Sequence, residues 1–471
     1  MKSFISYLPE QVLLLPPSLE DWLPEEHLAR FLHEVTAGLD LSELLRSYEE
    51  DGRGQSAYHP LMMVRLLLYG YCLGLASSRG IERATHENVA FRYLACNQHP
   101  DHSTISGFRQ RHQEALGNLF LKVLALCREA GLVKLGHVAL DGTQIKANAS
   151  SHKTLSYEKL QEREKGLAAV VEALLAAAEQ VDAGEEAQAG SAEAGELPPG
   201  LRKKQQRLEK IRAAKARLEE GAREKAEAAP PGAAENNPQG KESAVAESGG
   251  GASAGGTEEP PAPNEKTNLT DPDSRLLRDG ASKGWVQGYN AQAAVDQQAQ
   301  IIVAAEVTQD HTDRTHLCPL VQQVQQNLGA SPEKVSADTG YWSPTAVSSP
   351  VVAEIDLYIR PDAPPRAVRE AEQRSATGVP LRKKKPRSGY AAEGLSRADA
   401  LRLKLQTPEG KAIYAKRREI VEPVFGQVKQ RRGFRQFLLR GLQAVQQEWK
   451  LICLTHNLLK LYRYHWLTVE N

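Results

Sequence analysis

Cysteine is scarce, with five residues in 471 (Cys72, Cys96, Cys127, Cys318, Cys453) and no CxxC or CxxH pair. That scatter supports neither a zinc ribbon nor a disulfide framework, and reduced thiols in a cytosol are expected. Net charge is absent too, because 59 cationic side chains meet 59 acidic ones. The whole-chain balance therefore gives no hint of an anionic partner. The start "MKSFISYLPE" has no long apolar segment, so no secretory signal is expected. The most apolar run, "LMMVRLLLYGYCLGLAS", carries Arg65 inside it. A membrane span wants roughly 20 apolar residues, so this run reads as a core helix. What remains is ordinary for a soluble globular protein, with 41% hydrophobic and 25% charged residues. The length allows two or three domains.

Residues 1 to about 130 read as helical, with Leu61, Val64, Leu67 and Leu68, then Leu116, Leu119, Phe120, Val123 and Leu124, at helical spacing. Between these stripes, "PDHSTISGFRQRH" offers Ser103 or Thr104 as a cap for a helix presenting Arg109, Arg111 and His112. That is the shape of a DNA-reading helix-turn-helix, or of an ordinary solvated basic helix. From Gly136 the pattern turns to short strands: "HVALDGTQI", "KGWVQGYNAQAAVD", "AQIIVAAEVTQD", "KVSADTGYWS" and "AEIDLYIR". An amphipathic helix, "HTDRTHLCPLVQQVQQNL", capped near Thr312 or Asp313, lies among them. Strands in succession and then alternating with helix predict a mixed α/β sheet with helices on its faces.

Residues 155–265 are different material. Two strong helix-forming stretches, with Leu201, Leu208, Ile211, Lys215 and Leu218 on a heptad-like stripe, predict an antiparallel hairpin among low-complexity linkers. With 14 Lys and Arg against 21 Asp and Glu, this insertion is unsuited to a phosphate backbone. Residues 361–435 compensate, with 19 Lys and Arg against 8 Asp and Glu and aromatics interleaved. Nucleic-acid contact is expected there, against the plainer reading of solvated loops.

Asp141 follows the apolar run Val138-Ala139-Leu140, and Asp338 follows another short apolar strand; both precede glycine-containing turns. Either alone reads as a turn residue. Together, on neighbouring strands, they could converge at a sheet edge, where α/β ligand sites occur. The triplet "DTG" at 338–340 lacks the second all-β lobe an aspartic protease needs. The "DGT" at 141–143 has Ala139 where a phosphatase nucleophile would stand. A third acid, Glu422, shares a helix face with Tyr414 and Arg418, with Lys429 further along. Pro423 should kink that helix or begin a new one.

The blocks "LDGTQIKANAS", "ADTGYWS" and "IVEPVFGQVKQRRGFRQFLLRG", in this order, resemble those of DDE transposases encoded by bacterial insertion sequences. The stretch "YHPLMMVRLLLYG…FRQRH" is similar to the helical domain that accompanies that core. The likeness covers about residues 10–150 and 265–465. It implies an RNase H-like fold, with a helical DNA-binding domain at 1–130, a catalytic domain at 131–465 and the acidic insertion at 155–265 within it. It places the first acid on the first strand, the second just after the fourth strand and the third on a late helix, matching Asp141, Asp338 and Glu422. A Tyr, Arg, Glu, Lys signature is matched by Tyr414, Arg418, Glu422 and Lys429; the Tyr-to-Arg gap is one residue longer than usual, unless Arg417 takes that part.

The resemblance implies cleavage at transposon ends followed by strand transfer. Two Mg²⁺ ions, or Mn²⁺ in their place, about 3.5–4 Å apart would be held by the three carboxylates. Tyr414, Arg418, Lys429, Arg431, Arg432 and Arg435 would grip the DNA backbone, which positions it without reading sequence. Arg109 and Arg111 would serve end recognition, and Trp342 would stack on an unpaired base or else be a partly buried aromatic. The implied partners are terminal inverted repeats and target DNA, bound by a homodimer in the bacterial cytoplasm at the nucleoid. The alternatives are a DNA-binding protein that has lost catalysis and a general RNase H-like nuclease.

Overall fold

The computed structural model describes residues 18–49, 57–186, 199–227, 261–278, 284–362 and 397–469. The described chain divides into two compact units, residues 1–146 with 289–471, and residues 147–288.

The larger unit begins with helices α1 (Leu28–Ala37), α2 (Ser42–Glu49), α3 (Pro60–Leu73), α4 (Ser78–Glu87), α5 (Val89–Leu94), α6 (His102–Arg111) and α7 (Gln113–Glu129). Helix α3 is the apolar run foreseen as core, and Met63, Val64, Leu66, Leu67 and Leu68 are fully buried. Arg65 is tolerated there because its guanidinium donates to Thr36 Oγ1 and His33 O, each at 2.9 Å. No single helix among the described residues is long and apolar enough to cross a membrane.

Strand β1 (His137–Lys146) then leads out of the larger unit. In the smaller unit, β2 (Thr154–Ser156) precedes α8 (Tyr157–Glu186) and α9 (Pro199–Glu227), and β3 (Lys266–Asn268) pairs antiparallel with β2. The two helices form the expected hairpin. Leu160, Ile211, Ala214 and Leu218 make one buried cluster with Leu155 and Tyr157, and Val171, Leu201 and Leu208 make another. Opposite pairings, Tyr157 with Glu219 and Glu164 with Arg212, show the antiparallel sense. Lys215, on the heptad stripe, instead reaches Glu164 at 3.0 Å. The linkers at 187–198 and 228–260 lie outside the described residues. Strand β4 (Arg275–Arg278) pairs with the opening residues, Trp285–Gly288, of β5 (Trp285–Asp296), which carries the chain back.

The larger unit continues through β6 (Ile302–Thr308), α10 (Leu317–Leu328), β7 (Lys334–Ala337), a short α11 (Pro344–Val347) and β8 (Asp356–Ile359). It ends with α12 (Arg397–Gln406), α13 (Pro408–Gly426) and α14 (Leu442–Val469). Its sheet runs β6-β5-β1-β7-β8, with β5 and β6 antiparallel and β1, β7 and β8 parallel. The mixed α/β architecture with a helical N-terminal region is thus the observed one.

Two local expectations change. The N-cap position of α10 is His316, whose side chain makes no capping bond, and not Thr312 or Asp313. Pro423 begins no new helix: α13 continues through it to Gly426 before a π-helical turn over Gln427–Arg431. Proline removes the N–H that would bond to the carbonyl four residues back, Glu419. That carbonyl accepts from Gln300 Nε2 at 2.9 Å instead, so the helix survives.

Candidate active site

Strand β1 is buried through Val138, Ala139 and Leu140 and becomes half-buried at Asp141. It runs on to Lys146, so Asp141 lies within the strand and does not begin a turn. What ends is its parallel pairing with β7, whose last partners are Leu140 and Ala337. The next residue on each strand is an acid. Asp141 and Asp338 therefore leave neighbouring strands side by side, at a strand spacing of roughly 4.8 Å.

Asp338 caps a tight turn over Thr339–Tyr341 and accepts the Gly340 N–H at 2.8 Å. Asp141 accepts the Gly142 N–H at 3.0 Å and receives Arg417 Nη1 at 3.1 Å on its other oxygen. Burial pushes the Asp141 carboxyl up to about 6; Arg417 opposes this, and the charges of Asp338 and Asp313 add to it. Asp338 is raised by burial and by the charge of Asp313.

Asp313, read from sequence as a helix cap, is the third acid at this place. Its Oδ1 accepts Asn290 Nδ2 at 2.7 Å and Gln292 Nε2 at 2.6 Å. The tyrosine hydroxyl of Tyr341 holds Gln292 from the other side. Nothing local in the sequence marks this group: Asn290 and Gln292 share a face of β5, but that strand also carries Gln287 and Asp296. The glycines matter here. A Cβ on Gly142 would fall 2.5 Å from Gln292 Nε2, and one on Gly340 would fall 2.9 Å from Asp338 Oδ1.

Glu422 is not gathered with these acids. Its side chain is 60% exposed and faces Arg418 at 3.7 Å. Of the two candidate arginines, Arg417 is the buried one that meets Asp141, while the Arg418 side chain is 74% exposed. Five positions separate Arg417 from Glu422, which turns them roughly 140° apart on a helix. Among the described residues no group of three His, Cys, Asp or Glu is close enough to hold a metal ion.

A cavity of about 690 Å³ opens beside Asp338, lined by Thr339, Arg360, Arg402, Lys411 and Tyr414 among others. Arg402 is committed to Asp399 at 2.8 Å and to the Asp362 carbonyl at 3.1 Å. Of the other basic residues expected at DNA, Arg111, Arg431 and Arg435 are exposed. Two other arginines and one tryptophan are interior, which corrects the expectation of DNA contact for them. Arg432 is 5% exposed and donates to Ile452 O and Thr455 Oγ1. Arg109 is 6% exposed and donates to Tyr71 and to the Ala76 carbonyl. Trp342, also 6% exposed, is core. The α6 cap is Asp101, and His112 is buried against Tyr48. The basic run "LRKKKPRSG" lies outside the described residues.

Two family models match the chain: a transposase domain (DUF772) over residues 17–111, and a transposase DDE domain over residues 265–458. The chain belongs to the DDE transposases of insertion sequences. No curated protein and no solved structure gives a significant match. The DDE match begins after β1, so Asp338 and Glu422 of this transposase fall inside it, and Asp141 is tied to it through the β1–β7 register.

Proposed function

We propose that this transposase cuts phosphodiester bonds at the ends of its element and joins the freed 3′-hydroxyl to target DNA, with Asp141, Asp338 and Glu422 as its catalytic acids. The observation that carries the reading is the pairing of Leu140 with Ala337, which sets two half-buried aspartates side by side beyond the last paired residues. The order β6-β5-β1-β7-β8 supports an RNase H-like core, because Asp141 lies on its first strand and Asp338 just after its fourth. Residues 1–130 are the DNA-reading part in this proposal, 131–465 the catalytic part and 155–265 an insertion.

The donor chemistry at Asp141 and Asp338 fits a hard divalent cation such as Mg²⁺ or Mn²⁺: the oxygens are all carboxylate, and among the described residues the Arg417 guanidinium is the cation paired with Asp141. The three-acid arrangement is not assembled, since Glu422 stands apart. A pair of such cations, when bound, supplies charge stabilisation at both the attacking and the leaving oxygen. The chain itself supplies rigid placement of its acids on paired strands; an error of about 1 Å costs on the order of 100-fold in rate. Arg360, Lys411 and Tyr414 border the cavity next to Asp338 and are placed to take a DNA strand. Arg418, Lys429, Arg431 and Arg435 extend the basic surface along the chain. Pairing of two element ends by a homodimer on DNA, at the nucleoid, follows from the same reading.

The test is Mg²⁺-dependent cleavage of duplexes that carry the inverted repeats flanking the coding region. Asp141→Ala, Asp338→Ala and Glu422→Ala should each abolish cleavage while end binding in a gel-shift assay persists. Cleavage that survives in these variants removes the assignment. Binding without cleavage by the unaltered chain makes it a transposase-derived DNA-binding protein instead.

A further inference from the structure

We infer that Gln300 is a positioning residue of the reaction: its side-chain amide takes the place of the N–H that Pro423 lacks, and so ties the turn of α13 carrying Glu422 to the sheet that carries Asp141. This rests on the reading of Glu422 as a catalytic acid.

Gln300 stands in the turn between β5 and β6, and β5 lies beside β1 in the sheet. Its backbone is left-handed, with φ at 58°. Glycine meets that requirement without strain, so the turn by itself gives no reason for a glutamine. The side chain supplies one. Its Nε2 donates at 2.9 Å to Glu419 O, the carbonyl that Pro423 leaves open, and its Oε1 accepts Lys460 Nζ of α14 at 2.7 Å. A second tie lies on the other side of the proline. The Gln300 carbonyl accepts His456 Nε2 at 2.9 Å, and Nδ1 of that ring meets the side-chain amide of Gln427 at 2.7 Å. His456 is itself fixed, being 1% exposed in α14.

Glu422 lies between the two points thus held, Glu419 and Gln427. A proline removes one rung of a helix and makes that place the natural one to bend. Here the bend is set from outside, by a residue of the sheet and one of α14. Arg417, earlier on the same helix, is held to Asp141 at 3.1 Å. The backbone under Glu422 is therefore fixed on both sides, and what stays free is its exposed side chain. Water can satisfy the Glu419 carbonyl where the glutamine is removed, but it cannot tie that carbonyl to the sheet. The expected loss is in the placement of the acid and not in folding.

The experiment compares the full chain with Gln300→Gly, which suits the turn but removes the amide, and with Gln300→Gly combined with Pro423→Ala, which returns an N–H to the helix. Hydrogen exchange is followed over residues 419–427, and kcat and KM are measured for Mg²⁺-dependent cleavage of duplexes carrying the element ends. Exchange faster by about 10-fold and kcat lower by about 10- to 100-fold at unchanged KM, both reversed by Pro423→Ala, support the inference. Exchange and kcat that do not move in Gln300→Gly overturn it, as does a loss that Pro423→Ala fails to reverse. Faster exchange with kcat unmoved also overturns it. Glu422→Ala in the same assay then separates the two failures: cleavage abolished leaves the reading of Glu422 standing, whereas cleavage retained removes that reading and the inference with it. Should the glycine variant fail to fold, Gln300→Glu, equal in length but without the donor, is judged by the same outcomes.

Discussion

Two carboxylates, each paired with cations, behave oppositely in the two units. In the helical hairpin Glu164 meets Lys215 at 3.0 Å and Arg212 at 3.2 Å, and its carboxyl is held below its ordinary range, chiefly by Lys215. In the sheet Asp141 meets Arg417 at 3.1 Å, yet its carboxyl rises to about 6 because burial outweighs the pairing. The contact distances match. What differs is how much water each carboxylate surrendered and whether other acids stand beside it. A pairing distance alone therefore does not reveal whether a carboxylate stabilises the fold or is kept at its expense.

The comparison breaks most visibly if the apolar seam beneath Glu164 is removed. Leu160→Ala should cost the hairpin about 2–5 kcal/mol, because Leu160 is fully buried. Hydrogen exchange across α8 would register it, with the β1–β7 amides left protected. Next in size is the pH response of Asp141. Its folded-state value is raised, so its stabilising contribution is fully present below the unfolded value near 4 and is lost as pH rises through about 6. Unfolding free energy should fall on the order of 2–3 kcal/mol across that window, and Asp141→Asn should remove this slope. Urea titrations at several pH values would measure both.

A sharper version replaces the counter-ion. Arg417→Met should push the Asp141 carboxyl above about 6, because the guanidinium is the group that lowers it. Carbon-13 shifts of labelled aspartate would follow that titration; a value that did not move would mean the pairing is unimportant. The smallest effect is expected at Glu164. Its lowered value gives stability above the unfolded value that is lost as pH falls through the folded one, the opposite slope to Asp141. Glu164→Gln should cost no more than about 1 kcal/mol.

The sequence was most legible where burial follows a period. The strand Val138-Ala139-Leu140, the strand ending at Ala337 and the Leu201, Leu208, Ile211, Leu218 stripe all stand where pattern places them. Both strand-borne acids were visible for the same reason. Asp313 was hidden because its partners, Asn290 and Gln292, are 23 and 21 residues away, and nothing local announces such a bond. Arg432 misled because a charge count cannot see the Ile452 carbonyl waiting for it on α14. The turn of α13 that points Arg417 inward and Glu422 outward depends on which face Ile420, Val421 and Val424 bury. That choice was open in a stretch with cations at both 417 and 418.

The register of β1 against β7 has one more consequence. The whole smaller unit is spliced in after Lys146 and rejoins the larger one at Tyr289, downstream of the last paired residue of β1 and upstream of β7. Lengthening or trimming it therefore leaves the Leu140–Ala337 alignment alone, and the entropy of closing a longer connection grows only logarithmically. A longer connection at that splice therefore costs little entropy, whereas a single residue gained or lost inside β7 would throw one aspartate to the far face.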